Sequence, residues 1–251
     1  MIPAHMARIE SIVEEAEDVR SFAFRFVGEA PATHLGLPGQ FAPFRFRIGD
    51  GHHERFYAIS SLPQLGEAPC FTVKRKPDGL VSGHCMDRLA PGDLVAVGPA
   101  RGGFRLQPGN APVVFLAGGI GIAPIFPLIR FALLCTQRPV AVVLFERNAA
   151  RQAFLPALQG LAVRHRGRMS LHGAFGAGPP AMDRALAGVL DPTSAQHVYM
   201  CGPAGFLDAA GACVRAAGHP ASRIFANDRD AYIAGYLAQP PHAAAAAALA
   251  L

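Results

Sequence analysis

The sequence has no tryptophan, and only 16% of its 251 residues are charged. With a 51% hydrophobic share, that composition excludes a disordered chain and a fibrous polymer, because there is enough apolar surface to fill a core. The five cysteines, Cys70, Cys85, Cys135, Cys201 and Cys213, include no C-x-x-C pair and are odd in number. Neither a disulfide framework nor a four-thiolate metal cage is therefore indicated, and no metal site is expected. No apolar run reaches the roughly 18 residues that a membrane span needs without interruption. The first twenty residues are polar and acidic and lack a signal-peptide core. A cytoplasmic protein without membrane attachment is expected, in a reducing compartment. The charge surplus is small, 23 Lys+Arg against 18 Asp+Glu for a net +5. It is also scattered, so nucleic acid is not an expected partner. Such a field suits an acidic protein or an anionic cofactor.

What is present is turn chemistry, 27 Gly and 22 Pro, and two kinds of strand. Up to about Leu106 the strands are short: Ser21–Val27, Gln40–Ile48, His53–Ile59, Cys70–Arg75 and Asp93–Val97. Phe22, Phe24 and Phe26 alternate with Ala23 and Arg25, and Phe44, Phe46 and Ile48 with Arg45 and Arg47, the pattern of half-buried antiparallel strands. About six of these closed on themselves make a small barrel. After the break Pro108–Pro112, the apolar run Val113–Ala117 leads into a Gly-rich turn. A helix from about Pro124 to Leu134 and a second apolar strand, Val140–Phe145, come next. A third, His197–Met200, precedes a helix to about Ala217. Strand, Gly turn, helix, strand is a parallel βαβ unit of a doubly wound nucleotide-binding sheet. The expected organisation is a barrel domain over 1–108, a nucleotide-binding domain over 112–236 and a low-complexity Ala-rich tail over 237–251.

Candidate site residues follow from this layout. Gly118, Gly119 and Gly121 lie between a buried strand and a helix. Glycine there lets backbone approach a pyrophosphate beside the positive end of the helix, with Pro124 in its first turn. The alternative is a plain strand-to-helix turn. At the end of the second strand Glu146 suits a ribose diol whereas Arg147 suits a 2′-phosphate, so NADH and NADPH both stay open. Cys201, Gly202 and Pro203 end the third strand, at the edge where ligands sit. In the first half Arg55 and Tyr57, two apart, share one strand face and can grip a phosphate and stack on a ring system. Gly79, Leu80, Val81 and Ser82 precede an expected helix from Gly83 to Leu89, with Ser82 at a helix start.

These segments together resemble the ferredoxin–NAD(P)H reductase superfamily. R-F-Y-A-I-S-S at 55–61 is similar to its flavin motif R-x-Y-[ST]-[IL]-x-S. G-L-V-S at 79–82 is similar to its flavin phosphate loop, and F-T-V-K at 71–74 to the strand before it. G-P-A-R-G-G-F at 98–104, G-G-I-G-I-A-P at 118–124 and C-G-P-A-G-F at 201–206 are similar to its later motifs, in the family's order over roughly residues 7 to 225. The resemblance is to oxygenase-reductase and flavohaemoglobin-type modules. It implies a six-stranded antiparallel flavin-binding barrel followed by a doubly wound NAD(P)-binding domain.

By that resemblance, hydride passes from NADH or NADPH to bound flavin, FAD with FMN as the alternative, and electrons go on to a separate acceptor such as an oxygenase or iron–sulfur protein. Arg55 would hold flavin phosphate, Tyr57 stack on the isoalloxazine, Lys74 line the pocket and Gly79 to Ser82 bind phosphate. Phe56 and Ala58 fall within the same motif. Gly118, Gly119 and Gly121 would take the dinucleotide phosphates, and Cys201 would stand near the nicotinamide. Three departures matter. Ala58 replaces the family's Ser or Thr, leaving Ser60 as the candidate hydroxyl. The C-terminal ending, Ile224-Phe225-Ala226-Asn227-Asp228-Arg229, lacks the family's Glu at its fourth position, with Asp228 adjacent. No C-x4-C-x2-C run is present to hold a plant-type cluster. A free flavin reductase and a flavin-binding regulatory subunit without turnover are the alternatives.

Overall fold

The computed structural model describes residues 4–175 and 179–227; the Ala-rich tail and Asp228 lie outside the described residues. Among the described residues two compact units form, one from 4–14 and 18–105, the other from 15–17 and 106–227.

The first unit contains β1 (His5–Ala16), β2 (Val19–Phe26), β3 (Phe41–Ile48), β4 (Gly51–Ala58), β5 (Cys70–Lys74) and β6 (Leu94–Val97), with α1 (Leu80–Asp87) between the last two strands. They make one antiparallel sheet in the order β4-β3-β6-β1-β2-β5. Its outer strands meet where Ile59 bridges to Phe71 and the Ser60 N–H donates to the Cys70 carbonyl at 2.8 Å, so the sheet closes and its edges are covered. Phe22, Phe24, Phe44, Phe46 and Phe71 are all buried inside, with Phe24 and Phe44 edge to face at 5.6 Å, a favoured aromatic geometry. Their strand neighbours face outward, and there Arg45 pairs with Glu54 at 3.1 Å.

The second unit contains β7 (Val113–Gly118), α2 (Ile122–Cys135), β8 (Val140–Glu146), α3 (Leu155–Arg164), β9 (Met169–Phe175), α4 (Pro179–Leu186), β10 (His197–Cys201), α5 (Ala204–Ala216) and β11 (Ile224–Asn227). The strands lie parallel in the order β11-β10-β7-β8-β9. The chain runs outward from β7 to β9 and then returns to the other side of β7, so a topological switch point falls between β7 and β10. Every residue of β7 is buried, as expected for a strand covered on both faces. At the opposite end of the sheet Arg138 is 1% exposed. It donates to the carbonyls of Gln107 at 2.8 Å and Ala111 and to Nδ1 of His197 at 3.1 Å. The Tyr199 hydroxyl accepts the Gln107 N–H at 2.7 Å. This network fastens residues 107–111 to their sheet.

Six elements depart from the sequence reading. β1 lies in the stretch read only as polar and acidic, because Ala7 and Ile9 alone among its first residues are fully buried. α3, β9, α4 and β11 are not among the elements read from the sequence. α1 starts at Leu80, three residues before the expected Gly83.

Candidate cofactor sites

In the first unit β4 carries Arg55, Phe56, Tyr57 and Ala58, placed by its register with β3. Alternation puts Arg55 and Tyr57 on one face, opposite Phe44 and Ala42. The Tyr57 ring lies 5.6 Å from Phe71 at 30° and 6.1 Å from Phe44. Its side chain hydrogen-bonds with Cys85, whose thiol burial pushes up to about 12. The exposed Arg55 guanidinium donates to the Glu54 carbonyl at 2.7 Å. Phe56 turns to the other face, edge-on to Phe41 at 5.9 Å.

Ala58 is 8% exposed and offers no hydroxyl. Ser60 is hydrogen-bonded within the barrel. Its hydroxyl donates to the Cys70 carbonyl at 3.3 Å and accepts from Thr72 at 2.7 Å, while Thr72 is bonded to Ser21 at 2.8 Å. All three hydroxyl residues are buried, so the Ser60 hydroxyl is engaged at the barrel's seam.

The chain then turns through Lys76, Pro77 and Asp78, the last at φ 54°, into α1. Ser82 is not a helix cap, as the sequence suggested. Gly79 holds the N-cap position, and Ser82, buried in the first turn, accepts the Lys76 N–H at 3.1 Å and donates to the Gly79 carbonyl at 3.2 Å. A Cβ on Gly79 would lie 2.4 Å from that Ser82 oxygen, which is why glycine stands there. Beside this turn is an open cavity of about 400 Å³, lined by Arg75, Lys76, Gly79, Leu80, Gly83 and His84 among others. Arg75 is held by Asp87, Nη1 to Oδ2 at 3.0 Å, and this hydrogen-bonded partner draws the Asp87 carboxyl below its ordinary range. Lys74 lies 3.8 Å from Asp18. The cationic side chains lining this cavity were not singled out from the sequence, although the run K-R-K-P-D-G at 74–79 combines basic residues with turn formers.

In the second unit the two loops at the switch point pack backbone against backbone. A Cβ on Gly121 would lie 2.0 Å from the Cys201 carbonyl oxygen and 2.7 Å from the Gly202 nitrogen. A Cβ on Gly118 would lie 2.6 Å from Phe206, and one on Gly202 2.5 Å from the same ring. Three glycines thus serve close packing within the protein, whereas Gly119, at φ 53°, faces the Glu146 carboxylate. Glu146 Oε1 accepts the Arg147 N–H at 2.9 Å, and the Arg147 residue is exposed. Cys201 is buried at 6% and ends β10 beside Ala117. Pro203 holds the N-cap position of α5, and Pro124 is buried in the first turn of α2.

A closed antiparallel barrel followed by a parallel sheet with its switch point at two Gly-rich loops is the fold of the ferredoxin reductase-like FAD/NAD-binding modules. Among solved structures, the flavohem-like FAD/NAD-binding domain of nitric oxide dioxygenase from Vibrio cholerae superimposes with a TM-score of 0.75 at 21% identity, over 89% of this chain and 97% of that one. Among curated proteins, the ferredoxin reductase component of 3-ketosteroid-9-alpha-monooxygenase from Rhodococcus rhodochrous is 29% identical over 87% of this chain and 63% of its own length. The phthalate 4,5-dioxygenase reductase subunit from Pseudomonas putida is 33% identical over 66% of this chain and 51% of that protein. The chain thus spans less than two thirds of the length of these curated relatives. No protein-family model matches it. No helix among the described residues is long and apolar enough to cross a membrane.

Proposed function

We propose that this chain is a flavin-dependent NAD(P)H oxidoreductase that passes electrons to a separate acceptor protein, an oxygenase or iron–sulfur protein, in the cytoplasm. The observation that carries this reading is the open cavity at the 75–88 turn and helix, lined by Arg75, Lys76 and Arg88 beside Asp78 and Asp87, on the same barrel that presents Arg55 and Tyr57 on one strand face. A volume of about 400 Å³, cationic side chains and the first N–H groups of α1 fit the phosphate-bearing part of a flavin. FAD is favoured, with FMN as the alternative. When bound, flavin takes a hydride from the nicotinamide and can release electrons singly.

The chain's own residues bind and orient. Arg55 would hold flavin phosphate, Tyr57 would stack on the isoalloxazine, Lys74, beside Asp18, would lie along the flavin, and Gly79, Leu80, Val81 and Ser82 would shape the phosphate turn. Gly119 is the backbone position open to the dinucleotide. Gly118, Gly121, Gly202 and Pro203 hold the two loops together around it, and Pro124 starts the helix behind it. Cys201 would stand near the nicotinamide. The relatives' names, a monooxygenase and a dioxygenase reductase, support the choice of acceptor class. The test is anaerobic addition of NADH or NADPH to the purified protein, with the released flavin identified. A yellow band that bleaches is expected, and a colourless protein that cannot be reconstituted with either flavin overturns the reading. Ala58 and the committed Ser60 hydroxyl leave no side-chain hydroxyl at that point of the motif. Tight flavin binding with no bleaching would instead identify a regulatory subunit.

A further inference from the structure

Resting on that reading, we infer that Cys85 is a positioning residue of the flavin site, accepting a hydrogen bond from the Tyr57 hydroxyl and so fixing the ring that would stack on the isoalloxazine. The two residues meet inside the first unit. Tyr57 packs half-buried at the edge of the barrel's core cluster, and Cys85, 0% exposed, lies within it. Every other residue of that cluster among the described residues has a hydrocarbon side chain, from alanine to phenylalanine. Tyr57 thus brings the cluster's one hydroxyl and Cys85 its one sulfur. A phenol set against hydrocarbon needs a partner, and the thiol is the acceptor that this core supplies.

On its barrel side the Tyr57 ring is gripped by other rings. Phe71 lies 5.6 Å away at 30°, and Phe44 and Phe46 lie at 6.1 and 6.2 Å. Apolar contact is non-directional and lets a ring slide or tilt, whereas the hydrogen bond between the Tyr57 side chain and Cys85 sets a direction. Burial pushes the Cys85 thiol up to about 12, so the sulfur stays protonated and neutral near neutral pH. It is a constant partner and not a nucleophile.

Cys85 also belongs to the element that follows the phosphate turn. Val81 and Cys85, four residues apart on α1, share its inward face and are buried in the same core. Leu80, Gly83, His84 and Asp87 of the same helix line the open cavity. One eight-residue helix therefore offers one face to the cavity and the other to the stacking ring. Cys85 ties the two together, and losing its sulfur should loosen the ring while leaving the cavity's own side chains in place.

The experiment uses the purified full chain loaded with flavin and reads both partners. Flavin affinity and the fluorescence of the bound flavin, which a stacked tyrosine quenches, report on the ring's grip. Fluorine NMR of protein labelled with fluorotyrosine reports on the ring itself, and with four tyrosines in the chain the signal lost in Tyr57→Phe identifies Tyr57. In Cys85→Ala we expect flavin to be held about fivefold more weakly, to fluoresce more brightly, and the Tyr57 signal to move. Cys85→Val, which fills the space without accepting a bond, should behave the same way and carries the comparison if Cys85→Ala fails to fold. Cys85→Ser, whose hydroxyl accepts the bond, should restore all three readouts. Adding Cys85→Ala to Tyr57→Phe should weaken flavin binding no further. An unmoved Tyr57 signal, a Cys85→Ser variant no better than Cys85→Val, or full additivity in the double variant overturns the inference. Flavin held equally by the wild type, Cys85→Ala and Cys85→Val overturns it alone, whereas a wild-type protein that takes up no flavin overturns it together with the functional reading.

Discussion

Two glycine-rich turns, each leading from a strand into a helix, look alike in sequence and differ in structure. At 76–83 only Gly79 is packed, against Ser82, and the chain leads to open space. A Cβ on Gly83, in the first turns of α1, would meet nothing within 4 Å, and the cavity beside it is lined by Arg75, Lys76 and Arg88 together with Asp78 and Asp87. At 118–121 the turn is filled by protein, with Gly121 against the Cys201 carbonyl and Gly118 against Phe206. Glycine permits close approach whatever approaches, ligand or chain. A Gly-rich run therefore marks a place where backbone must come near something, and only the fold says what.

The sharpest way to break this contrast is Gly121→Ala. A Cβ placed 2.0 Å from a backbone oxygen cannot be absorbed by a side-chain rotation, so the loops must separate. A loss of about 3 kcal/mol is expected, read by urea unfolding. A variant as stable as the wild type would mean that the two loops are not locked. Gly118→Ala should cost less, about 2 kcal/mol, because the atom met belongs to a ring. It should also be rescued in part by Phe206→Ala, with a coupling of at least ~1 kcal/mol in a double-mutant cycle. Strict additivity would remove Phe206 as the reason for that glycine.

This distinction could not be read from the chain. Alternating Phe residues in β2 and β3 announce a barrel because the period of two is a property of neighbours in sequence. The continuous apolar run of β7 likewise announces a strand buried on both faces. β1 escaped because its outward positions carry Glu10, Glu14 and Glu15 and its buried ones include a mere alanine, Ala7, so composition hid the alternation. The surroundings of Ser60 are hidden from the sequence for a different reason. Its partners Thr72 and Ser21 lie 12 and 39 residues away along the chain, and a buried hydroxyl network is a tertiary fact. Glu146 against Arg147 is a matter of which side chain turns inward, which two adjacent letters cannot state.

On the open side of the comparison Gly83→Ala should have the opposite sign. Gly83 lies inside α1 with open space where the Cβ would go, so alanine should stabilise the first unit by about 0.5–1 kcal/mol through helix propensity. The same methyl projects from a residue lining the cavity, so flavin should be held several-fold less tightly, as measured by fluorescence titration of the apoprotein. Gain in stability with no loss of flavin affinity would place the flavin elsewhere.

The smallest effect expected is one of pH, and it too should separate the two units. In the second unit burial lowers His197, with the nearby Arg138 and Arg223 cations adding to it, and burial with Arg223 lowers His219. His197 accepts a hydrogen bond from Arg138 through Nδ1, so protonating that nitrogen removes the bond and sets two cations together. Because both folded pKa values lie below the ordinary value of 6.5, the unfolded chain binds more protons as pH falls from about 6.5, and stability is lost in that direction. In the first unit the shifted carboxyl is Asp87, lowered from 3.8 by Arg75, whose contribution fades only as pH falls below that value. Between pH 7 and 5 calorimetry should therefore show the second unit's transition moving down first. The double variant His197→Gln with His219→Gln should flatten that pH dependence, and an unchanged slope would mean that the acid sensitivity lies outside this buried end of the parallel sheet.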